Sequence, residues 1–160
     1  MGAGHRRNLY RKASNKNYLM TGETLHTQIL PFELDNGNSG RSGKWFSSAK
    51  LRKKYEEALR KMGLQRVPFP CPVNVRLIRI LGTGQREWDS SSWQRGNYKE
   101  IEDALVACGW FVDDGPKYIW ETTFENDISR KSKGPCIEII ITQAEESFGL
   151  QSSNQRNLSL

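Results

Sequence analysis

Three prolines within six residues, Val67-Pro68-Phe69-Pro70-Cys71-Pro72, constrain this chain more than any other feature. Proline has no N–H to donate, and its ring clashes with the preceding helical turn, so no helix can cross this stretch. The run divides the chain into a segment that must stop before it and one that must restart after it. On the N-terminal side, Leu51, Tyr55, Ala58, Leu59 and Met62 recur at helical spacing. Ser47 or Ser48 is placed to cap this helix, and Gly63 to stop it. On the C-terminal side, residues 73–81 alternate as a strand, with Val73, Val75 and Leu77 on one face.

The same reading extends outward. Residues 24–30 (TLHTQIL) form a short strand closed by Pro31, and residues 34–44 a loop rich in Gly, Asn and Ser. Residues 82–96 read as a loop carrying Arg86, Glu87, Asp89, three serines and Trp93. Asn97 opens a second helix, with Glu100 completing a box-like cap. Its apolar stripe is Ile101, Ala104, Leu105 and Cys108, and Gly109 ends it. Gly115-Pro116 turns the chain into a strand over residues 117–124, with Tyr118, Trp120, Thr122 and Phe124 on one face. A polar loop over residues 126–134 leads to a last strand over 136–142, where Ile137, Ile139 and Ile141 share a face and Ile140 indicates partial cover on the other. This order predicts an α+β domain, a small mixed sheet with two main helices packed on it. The boundaries are a basic mobile arm over residues 1–23, the domain over 24–143 and a polar tail over 144–160.

Charge narrows the partner. The 160 residues carry a net charge of +6 with a pI near 9.3, and the excess is unevenly placed. The first sixteen residues hold Arg6, Arg7, Arg11, Lys12 and Lys16 and no acid. Residues 44–66 add eight basic residues against Glu56 and Glu57, and Lys50, Lys53 and Lys54 fall on a polar helix face. Such stripes suit a phosphate backbone, although a merely solvated face accounts for the same pattern. Arg86 and Arg95, in the loop before the second helix, are further candidate DNA contacts. Cys71, Cys108 and Cys136 form no CxxC pair, and with only His5 and His26 neither a zinc site nor a disulfide framework is indicated. No apolar run is long enough for a signal peptide or membrane span. The chain therefore reads as cytoplasmic, without a membrane role.

The acids worth weighing are Glu87, Asp89, Asp113 and Asp114, because magnesium takes a few hard oxygen ligands. The second helix is about 16 Å long at about 1.5 Å per residue. Five extended residues after Gly109 reach back about the same distance. Asp113 and Asp114 are thus expected near the start of that helix, beside Asp89. Taken alone, Asp113-Asp114-Gly115-Pro116 also reads as a simple turn. Lys99, in the first helical turn, opposes the helix dipole; a nearby phosphate or carboxylate, or pairing with Asp103, accounts for it.

The stretch GNYKEIEDALVACGWFVDDG, residues 96–115, resembles the signature of the RusA-like Holliday junction resolvases. Lys99 falls on the family lysine, Asp103-Ala104-Leu105 on its Asp-Ala-Leu, Gly109-Trp110 on its Gly-aromatic pair and Asp113-Asp114 on its acidic pair. The likeness covers residues 24–143, most specifically in this central segment. It implies a homodimeric, magnesium-dependent endonuclease for branched DNA, with Asp89, Asp113 and Asp114 as metal ligands and Lys99 as the charge stabiliser. Where the family has Asp-x-Asp-Asn, this chain reads Asp89-Ser90-Ser91-Ser92-Trp93, and only Asp89 is acidic. The alternative implied by that departure is a catalytically silent RusA-like fold that binds branched DNA or a protein partner.

Overall fold

A computed structural model describes residues 22–34 and 48–145. Seven elements follow one another: β1 (Thr24–Leu30), α1 (Ser48–Lys61), β2 (Val73–Ile80), α2 (Ser90–Arg95), α3 (Tyr98–Ala107), β3 (Ile119–Asp127) and β4 (Cys136–Gln143). The strands form one mixed sheet in the order β1-β4-β2-β3. β4 runs antiparallel to both β1 and β2, whereas β2 and β3 are parallel. A parallel pair cannot be closed by a tight turn, so the chain from β2 to β3 must cross the sheet, and α2 and α3 form that crossover. The α+β architecture with two main helices, α1 and α3, is as the sequence predicts.

Period-two alternation builds the core. Val73, Val75 and Leu77 of β2 are fully buried, as are Ile137, Ile139 and Ile141 of β4. Val75 pairs with Ile141 and Leu77 with Ile139, so their side chains form one apolar sheet face. Ile101, Ala104 and Leu105 of α3 and Tyr55 and Leu59 of α1 join the same cluster. A smaller cluster of Ile78, Ile80 and Cys136, with Ile140 partly buried against it, takes the alternate positions, and this is the partial second-face cover that Ile140 predicted.

Both glycine stops act as expected. Gly63 and Gly109 have φ of 69° and 84°, a region open to glycine at little cost. After α3, Gly109 N donates to Val106 O at 2.9 Å and Trp110 N to Leu105 O at 3.0 Å, which satisfies the last carbonyls and reverses the chain.

Four details differ from the sequence reading. Residues 90–95, read as loop, form α2, because Asp89 supplies a cap and Trp93 an anchor in the core. β3 starts at Ile119 and continues to Asp127, where register with Ile80 carries pairing into the expected loop. Thr122 and Phe124 lie opposite buried Val75 and Leu77 on the expected face, but a register shift between Val73 and Asn74 leaves Ile119 buried and Trp120 65% exposed. Finally, the Asn97–Glu100 cap box does not form. The Asn97 amide donates to the Tyr55 hydroxyl, and Glu100 accepts from Ser48 Oγ at 2.8 Å, so both side chains tie α3 to α1 instead.

Candidate functional site

The site begins with the turn after α3. Trp110 is 1% exposed, and its indole N–H donates to Leu64 O at 2.7 Å. Arg66 N donates to Cys108 O at 3.1 Å. These bonds hold the returning chain against the segment that follows α1. The return brings Asp114 back to the first turn of α3, where Lys99 Nζ lies 2.5 Å from Asp114 Oδ2. Residues fifteen apart in sequence thereby meet.

Lys99 is half exposed and has more than one anion around it. It also donates to Asp103, one turn along α3, and its Nζ is 3.6 Å from Glu102 Oε1. Glu102 is almost wholly buried and Asp103 and Asp114 partly so. Burial opposes the charge on Lys99, but the hydrogen bonds to Asp103 and Asp114 and the field of Glu102 outweigh it and raise its pKa well above the lysine norm. The ammonium is therefore permanently charged at physiological pH. Burial pushes the Tyr98 hydroxyl up, with the Glu102 charge adding, so this neighbour stays neutral.

A shallow groove lies beside this cluster, lined by Arg52 and Glu56 of α1, Asp103, Val106 and Ala107 of α3 with its last turn, and Asp113 and Asp114. Arg60 bridges to Glu56 at 2.8 Å and reaches Ala107 O at 3.4 Å, which helps close the α1–α3 side. The groove thus joins carboxylates from two helices and the return segment. Lys50, Lys53 and Lys54 are exposed on α1, the helix that also supplies Arg52.

Asp89 is engaged with its own helix. Its carboxylate accepts from Ser92 N at 2.7 Å and Ser91 Oγ at 2.9 Å, capping α2, and it is not among the residues lining the groove. The preceding loop is pinned to the sheet. Asn126 exchanges two hydrogen bonds with the Trp88 backbone, and the Arg79 guanidinium lies 4.5 Å over the Trp88 ring while donating to Arg86 O at 2.9 Å. Trp88 and Trp93 meet edge to face at 5.0 Å. Arg86 and Glu87 are exposed on this loop. Arg95 closes α2, its side chain lying outside the described residues, as do Arg6, Arg7, Arg11 and Lys12.

Sequence reasoning singled out Lys99, Asp113 and Asp114; Lys99 and Asp114 meet, and Asp113 lines the adjoining groove. It missed Glu102 as a partner of Lys99 and missed the groove residue Glu56. The signal for Glu102 was its i, i+3 spacing from Lys99. Nothing local could pair Glu56 with Asp113, because α1 and α3 meet only in the fold.

Among the described residues, no three His, Cys, Asp or Glu side chains form a ready metal-ligand set. Magnesium keeps several waters and commonly takes one or two carboxylates plus substrate phosphates. The acidic pair therefore fits it in donor chemistry. Cys108 and Cys136 have thiols pushed up by burial, which makes them poor nucleophiles. No protein-family model matches the sequence, and comparison with curated proteins finds no match.

Proposed function

We propose that the chain is a magnesium-dependent endonuclease that resolves branched DNA such as Holliday junctions, working as a cytoplasmic homodimer. The observation that carries this reading is the meeting of Lys99 with Asp103 and Asp114, two of the acids that line the groove with Asp113. An ammonium next to paired carboxylates, flanked by a basic helix, suits phosphodiester chemistry. The resemblance of residues 96–115 to RusA-like resolvases supplies the reaction class. Three free thiols agree with a reducing compartment such as the cytoplasm.

Asp113 and Asp114 would hold the magnesium, which when bound would activate water and neutralise charge on the phosphate oxygens. Lys99 would pair with a non-bridging phosphate oxygen, stabilising the charge that develops there. Lys50, Lys53 and Lys54 would take neighbouring backbone phosphates, and Arg86 a more distant one.

A second reading, a catalytically silent fold that binds branched DNA, is favoured by one observation. Asp89, the acid remaining in the serine-rich stretch, is engaged as the cap of α2, and Trp93 is buried in the core. Cleavage separates the two. The wild-type chain should cut a four-way junction with magnesium or manganese. Lys99→Ala and Asp114→Asn should each abolish cutting, a loss of several kcal/mol of transition-state stabilisation, while leaving junction binding mostly intact. Binding without cleavage under any divalent ion would overturn the endonuclease and leave the binding module.

A further inference from the structure

We propose that His26 and Arg66 form a phosphate-binding site that shares no residue with the acidic groove and takes a phosphate of the DNA backbone. The two side chains line an open groove of about 420 Å³ where β1, the return segment and the segment joining α1 to β2 meet. Leu64, Gln65, Val67 and Trp110 form most of its other walls, and none of the residues lining it is acidic. The inference rests on the DNA-binding part of the reading above and needs neither magnesium nor cleavage.

Arg66 is held from several sides. Its backbone N–H donates to Cys108 O at 3.1 Å, its Nε donates to Val67 O at 3.1 Å, and its guanidinium lies 3.6 Å over the Phe69 ring. A guanidinium has five N–H donors. The other four have no acceptor among the described residues. Helix capping does not account for this arginine. The last carbonyls of α1 take donors from Met62, Gly63 and Leu64, and those of α3 from Cys108, Gly109 and Trp110. The guanidinium is thus stacked and oriented without a carboxylate to serve. His26 adds a second group able to carry positive charge, its ring meeting Trp110 edge to face at 5.1 Å. Burial lowers the His26 pKa, the Arg66 charge lowers it further, and no carboxylate acts in return. An anion seated between the two would relieve that repulsion and favour the protonated ring. Phosphate suits the pair, because its oxygens accept from a guanidinium fork and an imidazolium together. The source follows from α1, whose last turn carries Arg60 and Lys61, with the groove opening two residues later at Gly63. A phosphodiester backbone drawn along the exposed lysines of α1 would reach the groove at the end of that helix.

The test uses the full chain and two probes, inorganic phosphate and a four-way junction. Phosphate should shift the Trp110 indole N–H and His26 ring NMR signals saturably in the wild type. It should also raise the pH midpoint of the His26 ring, on which Arg66 is the charged group that acts. Arg66→Gln should weaken phosphate binding at least about fivefold, since a unit charge about 4 Å away contributes that much even in full solvent. His26→Gln leaves the Arg66–Phe69 stack in place, so it keeps the test decisive if Arg66→Gln misfolds, and it should weaken phosphate binding below the ring's midpoint. For a backbone phosphate, junction affinity should fall in Arg66→Gln and the log–log salt slope should shrink by about 0.9. Phosphate binding lost in the variants with junction affinity and slope unchanged would overturn the backbone source and leave a site for free phosphate. Phosphate binding by a wild type that binds no junction would support the site and sink the DNA reading. No phosphate shift, with junction binding equal in wild type and both variants, would overturn the site while the DNA reading stands.

Discussion

Gly109 is the residue on which the site depends without touching it. Its φ of 84° reverses the chain after α3, and a Cβ built there would lie 2.1 Å from Arg66 O, a backbone atom that cannot step aside. Gly109→Ala should therefore combine a strained backbone with a clash, lowering stability by at least about 2 kcal/mol. Denaturant unfolding with an unchanged m-value would measure it. The same change should loosen the return segment and part Asp114 from Lys99, so any metal-dependent activity should fall more than Gly63→Ala lowers it. Gly63 also has positive φ but has nothing within 4 Å of its built Cβ. If the two alanine variants lose equal stability, the close approach to Arg66 is not what makes Gly109 necessary.

At the scale of elements, α2 decides what Asp89 is for. The helix has six residues, too short to persist on its own propensity, and depends on its cap and on Trp93 packing against Trp88 and Phe124. Asp89→Ala should cost about 0.5–2 kcal/mol, the usual range for losing an N-cap, whereas Asp89→Asn should cost a few tenths at most because Asn caps as well. Thermal unfolding of the pair checks the stability difference. The pair also separates the roles of the carboxylate. A cap tolerates Asn, while a metal ligand loses its charge; junction cleavage that survives Asp89→Asn but not Asp114→Asn would assign Asp89 to structure alone. Cleavage lost in both would return Asp89 to the metal site.

For the molecule as a whole, charge placement outweighs shape. The carboxylate-lined groove adjoins α1, whose Lys50, Arg52, Lys53, Lys54, Arg60 and Lys61 make it strongly basic, and five more basic residues lie in the first sixteen. A phosphate backbone drawn to α1 would pass beside the acidic cluster. DNA binding should accordingly depend steeply on salt, with a log–log slope of about −0.9 for each phosphate contact, and only weakly on sequence. Removing residues 1–16 should lower the slope and the affinity without lowering the thermal midpoint, because Met1, Leu9 and Tyr10 are the only large apolar residues in that segment. Titrations of a four-way junction at several salt concentrations check both, and a flat salt dependence would contradict the polyanion partner.

Sequence alone determined the elements whose signals are local. Proline forbids helix over residues 68–72, glycine ends α1 and α3, and periodicity separates strand from helix, so the α+β class and the inward faces of β2, β4 and α3 were readable. The reach of a five-residue return along a helix anticipated that the acidic pair would come back toward the start of α3, where Asp114 meets Lys99; the partner expected there was Asp89. Tertiary structure decided what rests on contacts between distant segments. Tryptophan burial made residues 90–95 a helix, and pairing with β2 extended β3 to Asp127. Asn97 and Glu100 left their expected cap because α1 offered Tyr55 and Ser48 as partners. Asp89 and Asp114 are the same residue type, yet one is bonded to its own helix and the other to a lysine fifteen residues away. A carboxylate's role follows from the donors that surround it, and those are assembled only when the chain has closed on itself.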